Sequence, residues 1–231
     1  MTVAKDDVTF IIPTLNEEGA IGSVIDKTRL AGFKKIMIVD GGSSDKTVEL
    51  AEEKGAMVIF EPRKGKTCAV KTGIAGASTE FVALIDGDGS YDPADVEKML
   101  VVASKHDEII GQRCLEGAPI VRRFGNRVVS FLVSSFLGIP LSDVCSGLYL
   151  LRTDRAKELV LVKNGFSTEV EIAFGIARTG SISQIPISYR KRIGTSKLSV
   201  WKHGPQILIS ILSLAWDKSD SKPVNGSPSD P

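Results

Sequence analysis

The strongest limit on what this chain can fold into lies in its first hundred residues, where short β-branched runs alternate with helix-period segments and each run ends in a polar loop. Val8–Pro13, Lys35–Val39, Ala56–Glu61 and Phe81–Ile85 read as strands. Between them, Gly19–Ala31, Asp45–Lys54 and Thr67–Ala77 read as helices, the second opening at Ser44 or Asp45, either of which can cap it. This alternation predicts parallel βαβ units in a doubly wound, Rossmann-like half. Three polar loops follow strands: Pro13-Thr14-Leu15-Asn16-Glu17, Asp40-Gly41-Gly42-Ser43-Ser44-Asp45 and Asp86-Gly87-Asp88-Gly89-Ser90. Open α/β sheets bind ligands outside the carboxyl ends of their strands, so the three loops are expected to converge on one site.

Beyond Asp92-Pro93 the pattern predicts a helix to about Ser104 and a strand over Glu108–Gly111. Helices at Val121–Leu137, Asp154–Val162 and Thr168–Thr179 then alternate with strands near Gly147–Leu151 and Ser183–Pro186. No internal repeat or interdomain linker stands out. The 231 residues, 42% hydrophobic and 25% charged, suit one domain over 1–216, with a nucleotide-binding half at about 8–112 and an acceptor half at about 113–216. Residues 217–231, rich in Ser, Pro and Asp, predict a disordered tail.

The net charge of +1 gives no reason to expect nucleic acid as a partner. Its distribution is uneven: Ile172 to Trp216 holds six Lys or Arg and no acid, which suits an anionic partner. Cys68, Cys114 and Cys145 form no disulfide or zinc pattern. The N-terminus shows no signal-peptide pattern, and the predicted location is cytoplasmic. Of the two longest apolar runs, Val128–Leu141 is interrupted by serines, and Ile207–Trp216 would cover roughly 15 Å as a helix, about half a bilayer core.

Asp86 and Asp88 leave an apolar strand with only Gly87 between them. Such a pair offers hard oxygens to Mg²⁺ or Mn²⁺, with a nucleotide diphosphate completing the shell; a solvated turn with an Asp cap is the bland alternative. Asp40 can accept hydrogen bonds from a base or ribose, or simply close a turn, and Glu17 can serve the same nucleoside or cap a helix. Gly65-Lys66-Thr67 is no P-loop, because Phe60 stands where the first glycine belongs. Lys66 is left as a nucleotide contact or a surface lysine. Arg113 ends a strand on the same side, and Arg122, Arg123 and Arg127 follow, suiting phosphate or a solvated helix face. Tyr189 to Leu198 gathers Arg190, Lys191, Arg192 and Lys197 on a glycine-bearing loop, where ligand binding is the better reading.

In order, Pro13-x-x-Asn16-Glu17, Val39-Asp40-x-Gly42-Ser43-x-Asp45, Gly65-Lys66 with Gly73, Asp86-x-Asp88, Gly111-x-Arg113, Asp143-x-x-Ser146-Gly147 and Tyr189-Arg190-x-Arg192-x-Gly194-x-Ser196-Lys197-Leu198 resemble family 2 inverting glycosyltransferases of GT-A fold. Within them the chain is most similar to the dolichyl-phosphate mannose and glucose synthases. The resemblance runs from about Val8 to Leu198 and implies a mixed, mostly parallel α/β sheet flanked by helices. It implies nucleoside contacts at Pro13, Leu15, Glu17 and Asp40, and Lys66 and Gly87 complete the expected nucleotide-binding set. Asp86 and Asp88 would hold the metal, and Arg113, Arg122, Arg192 and Lys197 would hold donor or acceptor phosphates. Gly41, Leu15 and Ser90 depart from that pattern, standing where an aspartate, an aromatic and a glutamine are common.

The implied reaction is a single displacement moving a hexose from a GDP- or UDP-linked sugar to a polyprenyl phosphate at a membrane surface, the chain being peripheral on the cytoplasmic face. A hydroxyl acceptor would need a general base, for which Asp143 and Glu171 are candidates, whereas a phosphate acceptor needs only cations. Ile207–Trp216 can lie in the lipid interface or pack on the core. Other readings are transfer to a sugar hydroxyl or small soluble acceptor, a nucleotidyltransferase, and an inactive nucleotide-sugar binding module.

Overall fold

The computed structural model describes residues 3–116, 119–162, 167–194 and 207–214. Its elements in chain order are β1 (Val8–Thr14), α1 (Ile21–Leu30), β2 (Lys35–Asp40), α2 (Thr47–Glu53), β3 (Met57–Phe60), α3 (Lys66–Gly76), β4 (Phe81–Ile85), α4 (Val96–Leu100), β5 (Glu108–Arg113), α5 (Ile120–Leu137), β6 (Leu148–Arg152), α6 (Thr153–Lys157), α7 (Thr168–Ile176) and β7 (Ile182–Ile187). A last helix, α8, covers residues 207–214.

The strands form one sheet in the order β3-β2-β1-β4-β6-β5-β7. All neighbours are parallel except β6, which runs antiparallel to both β4 and β5. From β1 the chain builds outward through β2 and β3, then returns to lay β4 on the other side of β1. That reversal opens a crevice at the carboxyl ends of β1 and β4, where an open sheet admits a ligand.

Alternation along each strand sends side chains to two separate cores, one on each face. Phe10, Ile12, Ile38 and Ile85 pack on one face, and Ile11, Val39, Leu84 and Tyr149 on the other. Central β4 is buried at all five positions because helices cover both its sides. In α1, Ile21, Val24, Ile25 and Thr28 form the buried stripe expected of an amphipathic helix.

Two expectations need adjustment, and one left open between two residues is settled. The segment after Asp92 is a short α4 between two 3₁₀ turns instead of one helix. α6 stops at Lys157, where backbone bonds from Glu158 to Arg155 and from Leu159 to Ala156 tighten its end, so it does not reach Val162. Asp45, not Ser44, serves the start of α2: its Oδ1 accepts from the Thr47 amide and hydroxyl at 3.0 and 2.5 Å. Among the described residues no helix is long and apolar enough to cross a membrane. The tail expected at 217–231 lies outside the described residues.

Candidate active site

The first two strand-end loops are laced together. Asn16 takes a left-handed conformation, φ 54°, which asparagine adopts more readily than most residues. Its Oδ1 accepts from the Ser44 amide at 2.8 Å, while its own amide donates to Ser43 Oγ at 2.8 Å. The Glu17 amide donates to Thr47 Oγ1, and the Glu18 amide to Asp45 Oδ2. Asp40 is buried at the centre, accepting from Thr14 Oγ1, the Gly42 and Ser43 amides, and Ser43 Oγ. Four bonds fill a carboxylate's usual capacity, so Asp40 shapes the loop, and a nucleoside must displace one of them to reach it. Pro13 is half-buried, Leu15 is exposed at the loop tip, and Gly87 is buried, where a Cβ would press on Thr14 and Ile12.

Asp86 and Asp88 sit beyond β4, and each draws a cation. Lys66 Nζ donates to Asp86 Oδ1 and to Glu169 Oε1, both at 2.6 Å. Lys66 opens α3 after Gly65, whose φ of 110° suits glycine. A cation at a helix N-terminus opposes the macrodipole, so local preference argues against this placement and the paired carboxylates justify it. Burial works against the Lys66 charge, yet Asp86 and Glu169 together hold its pKa well above the ordinary lysine value. Asp88 Oδ1 accepts from the Ser90 amide and hydroxyl, and Oδ2 lies 3.4 Å from Arg192 Nη1.

Arg192 also reaches Glu17, with Nη2 3.2 Å from Oε1. It thereby spans the crevice from the β1 loop to the β4 loop. Its segment is fastened across that loop: the Arg190 amide donates to Ser90 O, the Ile193 amide to Asp88 O, and Tyr189 bridges Tyr91. Arg122 donates to the Tyr189 hydroxyl at 2.5 Å and stacks on its ring, on the rim of the same place. Lys197 lies outside the described residues.

The structure pairs Arg113, expected to hold phosphate, with an acid inside the protein. Its side chain is 5% exposed and forms a two-pronged pair with Asp143, Nε to Oδ2 at 2.8 Å and Nη2 to Oδ1 at 2.7 Å. Further donations go to Tyr91 and Asn126. This guanidinium is committed to the protein's interior and supports the wall behind Asp86: the Tyr91 hydroxyl accepts from Arg113 and from the Gly147 amide, and Gly147 abuts Asp86. The general-base candidates change with it. Asp143 is tied to Arg113, and Glu171 is buried, accepting from the Val162 amide and Ser167. Sequence reading singles out Glu171 and passes over Glu169, although Glu169 is the acid in α7 that meets Lys66. The missed signal is position, since a first-turn acid two residues earlier faces a different direction on the helix.

The aspartate pair fits a hard divalent cation by its donor chemistry. Among the described residues no group of three or more His, Cys, Asp or Glu could hold a metal alone. Two carboxylates, with phosphate and water supplying the rest, is the manner of Mg²⁺.

Residues 9–159 match the model for glycosyl transferase family 2. The chain belongs to that family. This transferase is 30% identical to the dolichyl-phosphate hexose transferase of Haloferax volcanii over 219 residues, covering 92% of this chain and 96% of that protein. It is 32% identical over 194 residues to glycosyltransferase AglJ of the same organism, covering 81% of this chain but only 64% of AglJ. Among solved structures, the transferase superposes on glucosyl-3-phosphoglycerate synthase from Mycobacterium tuberculosis, in complex with Mn²⁺, UDP and glucosyl-3-phosphoglycerate. The TM-score is 0.77 at 21% identity, covering 90% of this chain and 80% of that one. That similarity establishes the GT-A type of fold.

Proposed function

We propose that this transferase moves a hexose from a nucleotide-diphosphate sugar to a polyprenyl phosphate at a membrane surface, with inversion at the anomeric carbon. The observation that carries the reading is Arg192. Its guanidinium is held between Glu17 and Asp88, and its buried Nε has no hydrogen-bond partner among the described residues. A buried donor of this kind is costly unless something satisfies it, and a phosphate oxygen does so with charge assistance. Near-full-length similarity to a dolichyl-phosphate hexose transferase supports the same acceptor class.

Asp86 and Asp88 would hold Mg²⁺ or Mn²⁺. When bound, the ion supplies Lewis-acid stabilisation of the charge developing on the departing nucleoside diphosphate. Glu17 and Asp40, with Pro13, Leu15 and Gly87, would frame the nucleoside, and Lys66 would sit beside the diphosphate. An acceptor phosphate oxygen attacks the anomeric carbon as the bond from that carbon to the diphosphate oxygen breaks. The attacking oxygen is already anionic, so no proton need be removed. That suits a site where Asp143 and Glu169 are paired with Arg113 and Lys66, and where Glu171 accepts from the backbone. Arg192, with Arg122 at the rim and Lys197 further along the chain, would hold the acceptor against the donor's own charge.

The test supplies radiolabelled GDP-mannose, UDP-glucose or UDP-N-acetylglucosamine with detergent-dispersed polyprenyl phosphate and, in parallel, 3-phosphoglycerate. Label is expected in the organic phase. Label confined to water-soluble acceptors would refute the lipid acceptor, and release of pyrophosphate would mark a nucleotidyltransferase instead.

A further inference from the structure

The rim of the site continues into a surface that the reaction does not use. α5 turns Val129, Ser130 and Val133 inward. At 100° per residue, Ile120, Phe124, Arg127 and Phe131 fall within about 60° of arc on the opposite side. Ile120, Phe124 and Phe131 are 79%, 68% and 69% exposed, and Arg123 and Arg127 are exposed beside them. Through its 18 residues α5 carries three arginines and no acid. α8 repeats the pattern, burying Ile207 and Ile211 in the same core as Val129 and Val133 while Ile209 and Leu212 are exposed.

A helix facing water shows charged residues outward, whereas this one shows phenylalanines seven apart with an arginine between them. Such a face suits the boundary between headgroups and acyl chains, where the rings enter the apolar layer and the arginines extend to the headgroups. Charge selects the occupant. Two copies joined by the same face would bring arginine against arginine, while an anionic lipid surface complements it. We infer that the outer face of α5, with that of α8, docks on an anionic bilayer. The inference rests on the lipid-acceptor reading and deepens it. Arg122 in the first turn of α5 holds Tyr189, which bridges Tyr91 next to the aspartate loop, so docking α5 sets the rim of the site at headgroup depth.

The test is co-sedimentation of the full chain with phosphatidylcholine vesicles, with and without phosphatidylglycerol, for the wild type, Phe124→Ser/Phe131→Ser and Arg123→Glu/Arg127→Glu. The wild type is expected to sediment with the anionic vesicles, and either double variant to lose about tenfold or more in partitioning. Circular dichroism checks that each variant is folded. A wild type that stays in the supernatant, or variants that partition equally well, would overturn the inference. So would a wild-type dimer in analytical ultracentrifugation that the phenylalanine variant converts to monomer, since the face would then join two copies. Transfer to detergent-dispersed polyprenyl phosphate, expected to survive Phe124→Ser/Phe131→Ser, separates the two readings. Vesicle binding without any such transfer would remove the acceptor assignment and leave the docking surface standing.

Discussion

Arg113 and Arg192 look alike in the sequence, each an arginine near a strand end, and the structure gives them opposite work. Arg113 is locked to Asp143 inside the wall, and Arg192 lies across the crevice. Arg113→Ala should therefore act mainly on stability, costing roughly 3–5 kcal/mol by leaving Asp143 buried and unpaired. The paired change Arg113→Met/Asp143→Leu should cost less, and urea denaturation compares the two. Glu108 belongs to the same scale. It is buried, Oε2 has no partner among the described residues, and burial lifts its carboxyl to about 8. From an unfolded value near 4.3 up to about 8, the native state keeps a proton that the unfolded chain has released, so stability falls as pH rises through that window. Glu108→Gln should match the wild type in melting temperature at pH 4 and exceed it progressively toward pH 8.5, as read by calorimetry.

At the scale of elements, the strand-helix alternation was legible because each period is written in the side chains, from the buried stripe of α1 to the fully apolar β4. The antiparallel entry of β6 was not, since a strand's own residues do not record the direction of its neighbours. Yet that entry completes the site. β6 pairs with β4 from Ile85–Leu148 onward, and the Asp86 amide donates to Gly147 O. A Cβ at position 147 would overlap the Asp86 carboxylate. Gly147→Ala should lower turnover by roughly 10²-fold through displacement of Asp86. Half-maximal Mn²⁺ concentration should rise with it, while far-ultraviolet circular dichroism stays that of the wild type.

At the scale of the molecule, the crevice between the β1 and β4 loops collects carboxylates already matched to Lys66 and Arg192. A divalent ion and a diphosphate would enter as a compensating pair, the ion on the aspartates and the phosphates on the cations. EDTA should abolish transfer, and Mg²⁺ or Mn²⁺ should restore it. Nucleoside diphosphate and metal together should raise the melting temperature by more than the sum of their separate effects, because each favours the other's binding. An additive response in a thermal-shift titration would count against a shared site.

Local pattern alone determined the strands, most of the helices and the three polar loops, because hydrophobic period and turn chemistry act over a few residues. It also marked Asp86 and Asp88 as the acidic pair. Only the tertiary structure decided which charges meet: that Arg113 turns inward to Asp143, that Glu169 and not Glu171 faces Lys66, and that Arg192 spans from Glu17 to Asp88. Those pairings join residues as far as 175 positions apart, and Coulomb attraction depends on distance in space, which a sequence does not state.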